Sequence, residues 1–170
     1  EALSKCLSRK RNLGIHTPFF TDALMELVKS GAVTNRQKGM FRGRSLTAYA
    51  LGSKELMQWL DKNPMVEFQS IDKVFNPMEI GRNRRFVMIL PVLRVDLSGR
   101  VALHNSSANV SAGPGQIADF LNGAEISPGG YTIVALPSRN REGTPNIRLF
   151  LDDSPDLLSL PESVDLVFTE

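Results

Sequence analysis

The chain has 170 residues, 42% of them hydrophobic and 22% charged, with a formal net charge of +2; that allows one domain with a proper core and implies no polyanion or nucleic-acid partner by itself. No apolar run reaches bilayer-spanning length and no signal-peptide pattern opens the chain, so no membrane association is expected. The single Cys6 excludes an internal disulfide, and two widely separated histidines give no metal-ligand cluster, so the expectation is a reducing cytoplasm and no metal.

In chain order, Ala2, Leu3, Cys6 and Leu7 have helical apolar spacing. Leu13-Gly14-Ile15 reads as a short apolar strand that delivers His16 and Thr17 to its carboxyl end. Phe20 to Lys29 reads as a helix, with Thr21 or Asp22 as cap, an apolar stripe of Ala23, Leu24, Leu27 and Val28, and Gly31 as terminator. The basic stretch Arg36, Lys38, Arg42 and Arg44 is either a solvated loop or a surface that meets ligand phosphates. Leu46 to Leu51 predicts a buried strand, and Ser53 caps a second helix over Lys54–Asp61 that Asn63-Pro64 closes.

Phe86–Leu90 and Val92–Val95 are strand-like, and Ser98-Gly99 offers a hairpin turn into Val101–Leu103. Ser111 to Gln116 forms a tight turn before a helix from Ile117 to Leu121. Tyr131–Leu136 is the clearest strand, and a polar loop with Arg139, Arg141 and Glu142 follows it. The chain closes on a strand-like run, Val164–Glu170. Both ends read as cuts through secondary structure, so a longer polypeptide is expected. Alternating helices and short apolar strands predict an α/β sheet with flanking helices.

Two segments could carry chemistry. Gly113-Pro114-Gly115-Gln116 fits an anion or oxyanion turn, where glycines admit a ligand to backbone N–H groups at a helix start; it fits a plain structural turn as well. His16-Thr17, before a helix, would sit where open α/β sheets bind ligands. A lone histidine is also a common hydrogen-bonded structural group. Both segments are expected on the same edge of the sheet.

Longer strings carry a resemblance. Leu13-Gly14-Ile15-His16-Thr17 with Thr21-Asp22 resembles the active-site stretch of acetyl-CoA hydrolase/transferase and 4-hydroxybutyrate CoA-transferase proteins. Gly31-Ala32-Val33-Thr34-Asn35, Ala50-Leu51-Gly52-Ser53, Asn63-Pro64-Met65-Val66-Glu67 and Val95-Asp96-Leu97-Ser98-Gly99 extend it, as do Ala135-Leu136-Pro137-Ser138 and Val167-Phe168-Thr169-Glu170. The resemblance implies an open twisted sheet with flanking helices, the CoA-transferase (NagB/RpiA-like) fold. Residues 1–170 would be a single C-terminal-type domain of a two-domain protein, completed by a missing N-terminal α/β domain, with a homodimer left open.

It also implies transfer of coenzyme A, as substrate, from an acyl-CoA to a small carboxylate such as acetate. In that family an enzyme glutamate forms an acyl-glutamyl anhydride and then a glutamyl-CoA thioester. Its position, after the His-Thr pair, is occupied here by Pro18, which has no side-chain nucleophile. Gly113 and Gly115 match the family's glycine turn, whose last glycine is Gln116 here, and Arg141 stands near its basic CoA contact. Three readings follow. Asp22 or Glu67 replaces the glutamate, water attacks directly, or the chain is a non-catalytic acyl-CoA-binding or partner-pairing relative.

Overall fold

The computed structural model describes residues 2–103, 117–151, 157–160 and 163–169, and the chain divides into two compact units, 1–84 and 85–170.

The first unit runs through α1 (Ala2–Leu7), β1 (His16–Phe20), α2 (Asp22–Lys29), β2 (Ser45–Ala50), α3 (Lys54–Leu60), β3 (Val66–Phe68), α4 (Ile71–Val74) and α5 (Pro77–Gly81). Its strands form a parallel sheet in the order β1-β2-β3, the outcome expected when helical crossovers return each strand in the same direction. Local chemistry sets the boundaries. Extended Thr21 precedes α2, and Gly31 takes the left-handed conformation just past its end, at φ +74, where a Cβ would be strained. The Ser53 hydroxyl accepts the Leu56 N–H at the start of α3. The Asn76 side chain accepts from Met78 and Glu79 N–H, with Pro77 opening α5.

Ile15, Phe20, Met25, Leu27, Val28, Ala32, Val33, Leu56 and Val66 form this unit's core, with Leu24, Trp59 and Leu60 packed against it. Phe20 is fully buried, and its ring stacks on Trp59 at 6.0 Å. Two expectations change. Phe20 ends β1 rather than starting a helix, and Met25 rather than Ala23 is buried from α2. The strand therefore begins, not ends, at His16 and Thr17. It passes through Pro18, which an outer strand tolerates because one side of its backbone has no ladder partner. Thr17 pairs with Thr47 and Phe19 with Tyr49 on either side of it.

The second unit holds β4 (Val87–Pro91), β5 (Arg94–Asp96), β6 (Arg100–Ala102), α6 (Ile117–Ile126), β7 (Tyr131–Ala135), β8 (Ile147–Arg148), β9 (Leu157–Ser159) and β10 (Leu166–Phe168). One sheet, β10-β7-β4, is parallel; the other, β8-β5-β6-β9, is mixed. The expected hairpin is β5–β6, pairing Val95 with Val101. Gly99 turns it at φ +82, a conformation glycine adopts without Cβ strain. α6 runs five residues past Leu121, ending at Ile126. At Gly130 a Cβ would lie 2.1 Å from the Ala124 carbonyl, so only glycine lets the chain pass that close before entering β7. Among the described residues, no helix is long and apolar enough to cross a membrane.

Candidate functional site

The resemblance centres on β1, and its histidine is held on both ring nitrogens. His16 is 8% exposed. Its Nε2 lies 2.7 Å from the Val74 carbonyl at the end of α4, and Nδ1 lies 3.3 Å from Asn83 Nδ2. The tautomer follows from Asn83. Its Oδ1 accepts the Gly39 N–H at 3.2 Å and its Nδ2 also donates to Ile80 O, so the NH2 group faces His16. Nδ1 is then the acceptor, and the ring proton sits on Nε2 and is donated to Val74 O. Burial drives the His16 pKa down to about 4, against the Val74 bond, which favours the charged ring; Lys38 lowers it further and Glu79 opposes. His16 is a neutral positioning group that ties β1 to α4 and to Asn83.

This neutrality has a pH signature. An unfolded histidine titrates near 6.5 and the folded one near 4, so between these values the unfolded chain binds more protons and stability falls as pH drops. Full development of that shift corresponds to about 3 kcal/mol. Urea titrations of the full-length protein from pH 7 to pH 4 should show this loss, and His16→Gln should flatten it. An unchanged slope in that variant would contradict a neutral buried His16.

Lys38 lies beside this centre and belongs to the stretch read as a solvated or phosphate-facing loop. It is 4% exposed. Its ammonium donates to Ile15 O and Arg44 O, both at 2.8 Å, and burial lowers its pKa to about 8. Arg44 instead reaches Glu67 at 2.7 Å. Lys38 and Arg44 thus serve the fold, while Arg36 and Arg42 are exposed.

The Thr17 hydroxyl donates to Phe19 O at 3.2 Å, and the Thr47 hydroxyl lies within donating distance of both Tyr49 O, at 2.9 Å, and Pro18 O, at 3.1 Å. Asp22 stands at the start of α2, just past the carboxyl end of β1. Ser53 donates to it from both hydroxyl and backbone N–H, and these bonds hold the carboxyl below its ordinary range. A Cβ on Gly52 would fall 2.1 Å from Asp22 Oδ2, so the close approach needs glycine. Glu67 accepts from Gln69 and from Arg44, each at 2.7 Å, and both bonds lower its pKa. The register aligns His16, Leu46 and Glu67 in one row, which sets the Glu67 backbone two strands, roughly 10 Å, from that of His16. Both carboxylates are therefore ionised and already bonded. To attack a thioester, either must give up a donor.

Arg141 is exposed in a loop closed by the Arg139–Pro145 bridge. Gly113, Gly115 and Gln116, and with them the expectation of a shared sheet edge, lie outside the described residues. Among the described residues, no group of three His, Cys, Asp or Glu could hold a metal.

Residues 52–170 match the family described as acetyl-CoA hydrolase/transferase C-terminal domain. The whole chain is 36% identical to a 4-hydroxybutyrate coenzyme A transferase of Clostridium kluyveri and covers 40% of its length. Among solved structures, 4-hydroxybutyrate CoA-transferase from Porphyromonas gingivalis is 32% identical with a TM-score of 0.83, matching 99% of this chain and 38% of that one. RipA from Yersinia pestis is 29% identical with a TM-score of 0.89, again over 99% and 38%. The fold is thus of the CoA-transferase type, and the chain spans about two-fifths of these relatives. The chain belongs to the acetyl-CoA hydrolase/transferase family, and residues 52–170 correspond to its C-terminal domain.

Proposed function

We propose that the protein containing this chain acts on acyl-CoA thioesters, passing coenzyme A to a small carboxylate or releasing it to water. The observation that carries this is 36% identity, along the entire chain, to a CoA transferase. Residues 1–170 serve as one C-terminal-type domain, and a further α/β domain completes the site. On this reading His16 and Thr17 set the course of β1, and Asp22 and Glu67 supply the carboxylates near it. Gly113, Gly115, Gln116 and Arg141 face CoA. No metal takes part, and the reaction runs in the cytoplasm on acetate or a related acid.

Pro18 shapes the chemistry, since a pyrrolidine ring cannot form the acyl anhydride. Asp22 supports covalent transfer best. It is ionised, half-buried and at the carboxyl end of β1, and it would have to release Ser53 to attack. Water attack needs no such release. The test is turnover by the full-length protein: acetyl-CoA with butyrate or succinate should give the exchanged acyl-CoA, or free thiol without an acceptor. Binding of CoA without either product would favour the non-catalytic relative that Pro18 also allows.

A further inference from the structure

The mixed sheet of the second unit carries arginines that the reading above leaves unused. The register sets Asp96 opposite Arg148 on β8. Pairing of Val95 with Val101 and of Arg94 with Ala102 sets Asp96 opposite Arg100 on β6. Side chains two residues apart on a strand share a face, so Arg94, Asp96, Arg100 and Arg148 all stand on one face of this sheet. Arg94 and Arg148 are diagonal neighbours across β5 and β8, a spacing that long side chains bridge.

Among the described residues the charges of this group do not balance. Asp96 is the carboxylate of this group, and Arg100 takes it through Nε and Nη2, both at 2.8 Å. Its remaining capacity goes to Ser98 N–H and hydroxyl, Arg100 N–H and Leu151 N–H. Nothing of Asp96 is left for Arg148. The Nε atoms of Arg94 and Arg148 are buried without a hydrogen-bond partner, and neither guanidinium is paired with a described residue. Removing a guanidinium N–H from water without an acceptor is costly. Both side chains remain partly exposed, so an incoming group can reach them. Two guanidinium forks on diagonal positions of one sheet face, uncompensated among the described residues, match a dianion whose several oxygens accept in parallel.

We infer that Arg94 and Arg148 form a binding site for a phosphate dianion. Such a group comes from two sources, free inorganic phosphate or the ribose 3′-phosphate of coenzyme A; the second rests on the acyl-CoA reading above. The experiment is calorimetric titration of the full-length protein and of Arg94→Gln and Arg148→Gln with inorganic phosphate, CoA and dephospho-CoA, alongside thermal melts without ligand. Each substitution should weaken the recognised ligand by roughly ten- to hundredfold and leave the ligand-free melting temperature equal or higher, because a buried Nε–H without an acceptor has been removed. Arg94→Lys should keep the charge, lose the fork and bind in between.

CoA binding that depends on both arginines and on the 3′-phosphate assigns the site to the cofactor. Phosphate binding that depends on them, with CoA unaffected, assigns it to a free anion. Equal affinities of wild type and both variants for all three ligands would overturn the site. So would a fall in the ligand-free melting temperature with no change in affinity, since that marks a structural role. Acyl-CoA turnover, measured in parallel, separates the two ideas: turnover with no arginine effect removes this site alone.

Discussion

Asp96→Ala is expected to destabilise the second unit by about 3–5 kcal/mol, the range for breaking a buried charge pair from one side. The Asp96 side chain is fully buried and that of Arg100 is 16% exposed. Burial by itself would raise the carboxyl's pKa. Donors from Ser98, the Leu151 backbone and Arg100 outweigh it and hold the group well below the ordinary carboxylate range. Its stabilising contribution is therefore complete above the unfolded carboxylate pKa and is lost as pH falls toward the folded one. Alanine strands the Leu151 N–H and the Arg100 guanidinium, which also donates to Leu151 O at 2.6 Å and lies 3.8 Å over the Phe150 ring. Asp96→Asn keeps the shape but turns one acceptor toward donors, so a smaller loss is expected. Urea unfolding of the full-length protein at pH 7 checks the order. A change under about 1 kcal/mol for alanine would contradict the network's role in joining the hairpin to the segment after β8, because domains have only about 5–15 kcal/mol in reserve.

The parts of the molecule visible in sequence were those set by neighbouring residues. The Ser53 cap, the turn at Gly99 and the apolar, β-branched run Tyr131–Ala135 depend on chemistry within a few positions, and each element falls where pattern reading puts it. Long-range satisfaction was not visible. A lysine in a basic run reads as solvated because nothing nearby shows the Ile15 and Arg44 carbonyls converging on Lys38. In the same way, the value of Arg94 depends on β8, a pairing partner of its strand that lies some fifty residues downstream. At β1 the difference between pattern and structure is local. Pro18 suggests a break, yet an outer strand can carry it, so the strand extends to Phe20 and His16 moves from its end to its beginning. His16 then reads as a buried hydrogen-bonded histidine rather than a base, because Asn83 from 67 positions away fixes its tautomer. The family's pattern is legible in short runs such as Leu13-Gly14-Ile15-His16-Thr17, but the role of each residue in it is not.

The remaining question at β1 is whether the scaffold still supports covalent transfer, and Pro18→Glu addresses it. Position 18 is half-buried on an outer strand, and its carbonyl lies within donating distance of the Thr47 hydroxyl. Glutamate keeps that acceptor and regains an N–H, so folding should survive. With the full-length protein and acetyl-CoA, the wild type is expected to form no thioester at position 18, because proline cannot lose and regain an oxygen. The variant should gain acyl transfer of at least roughly tenfold, about 1.4 kcal/mol of barrier. Borohydride reduces an enzyme–CoA thioester to an alcohol, and peptide mapping then locates the mass change. A mark on Asp22 or Glu67 in the wild type would show that a neighbouring carboxylate has displaced Ser53 or Arg44 and taken the role. Turnover without any mark points to water attack. A folded Pro18→Glu variant that binds CoA yet carries no mark and gains no activity would mean the oxyanion geometry around β1 has also been lost.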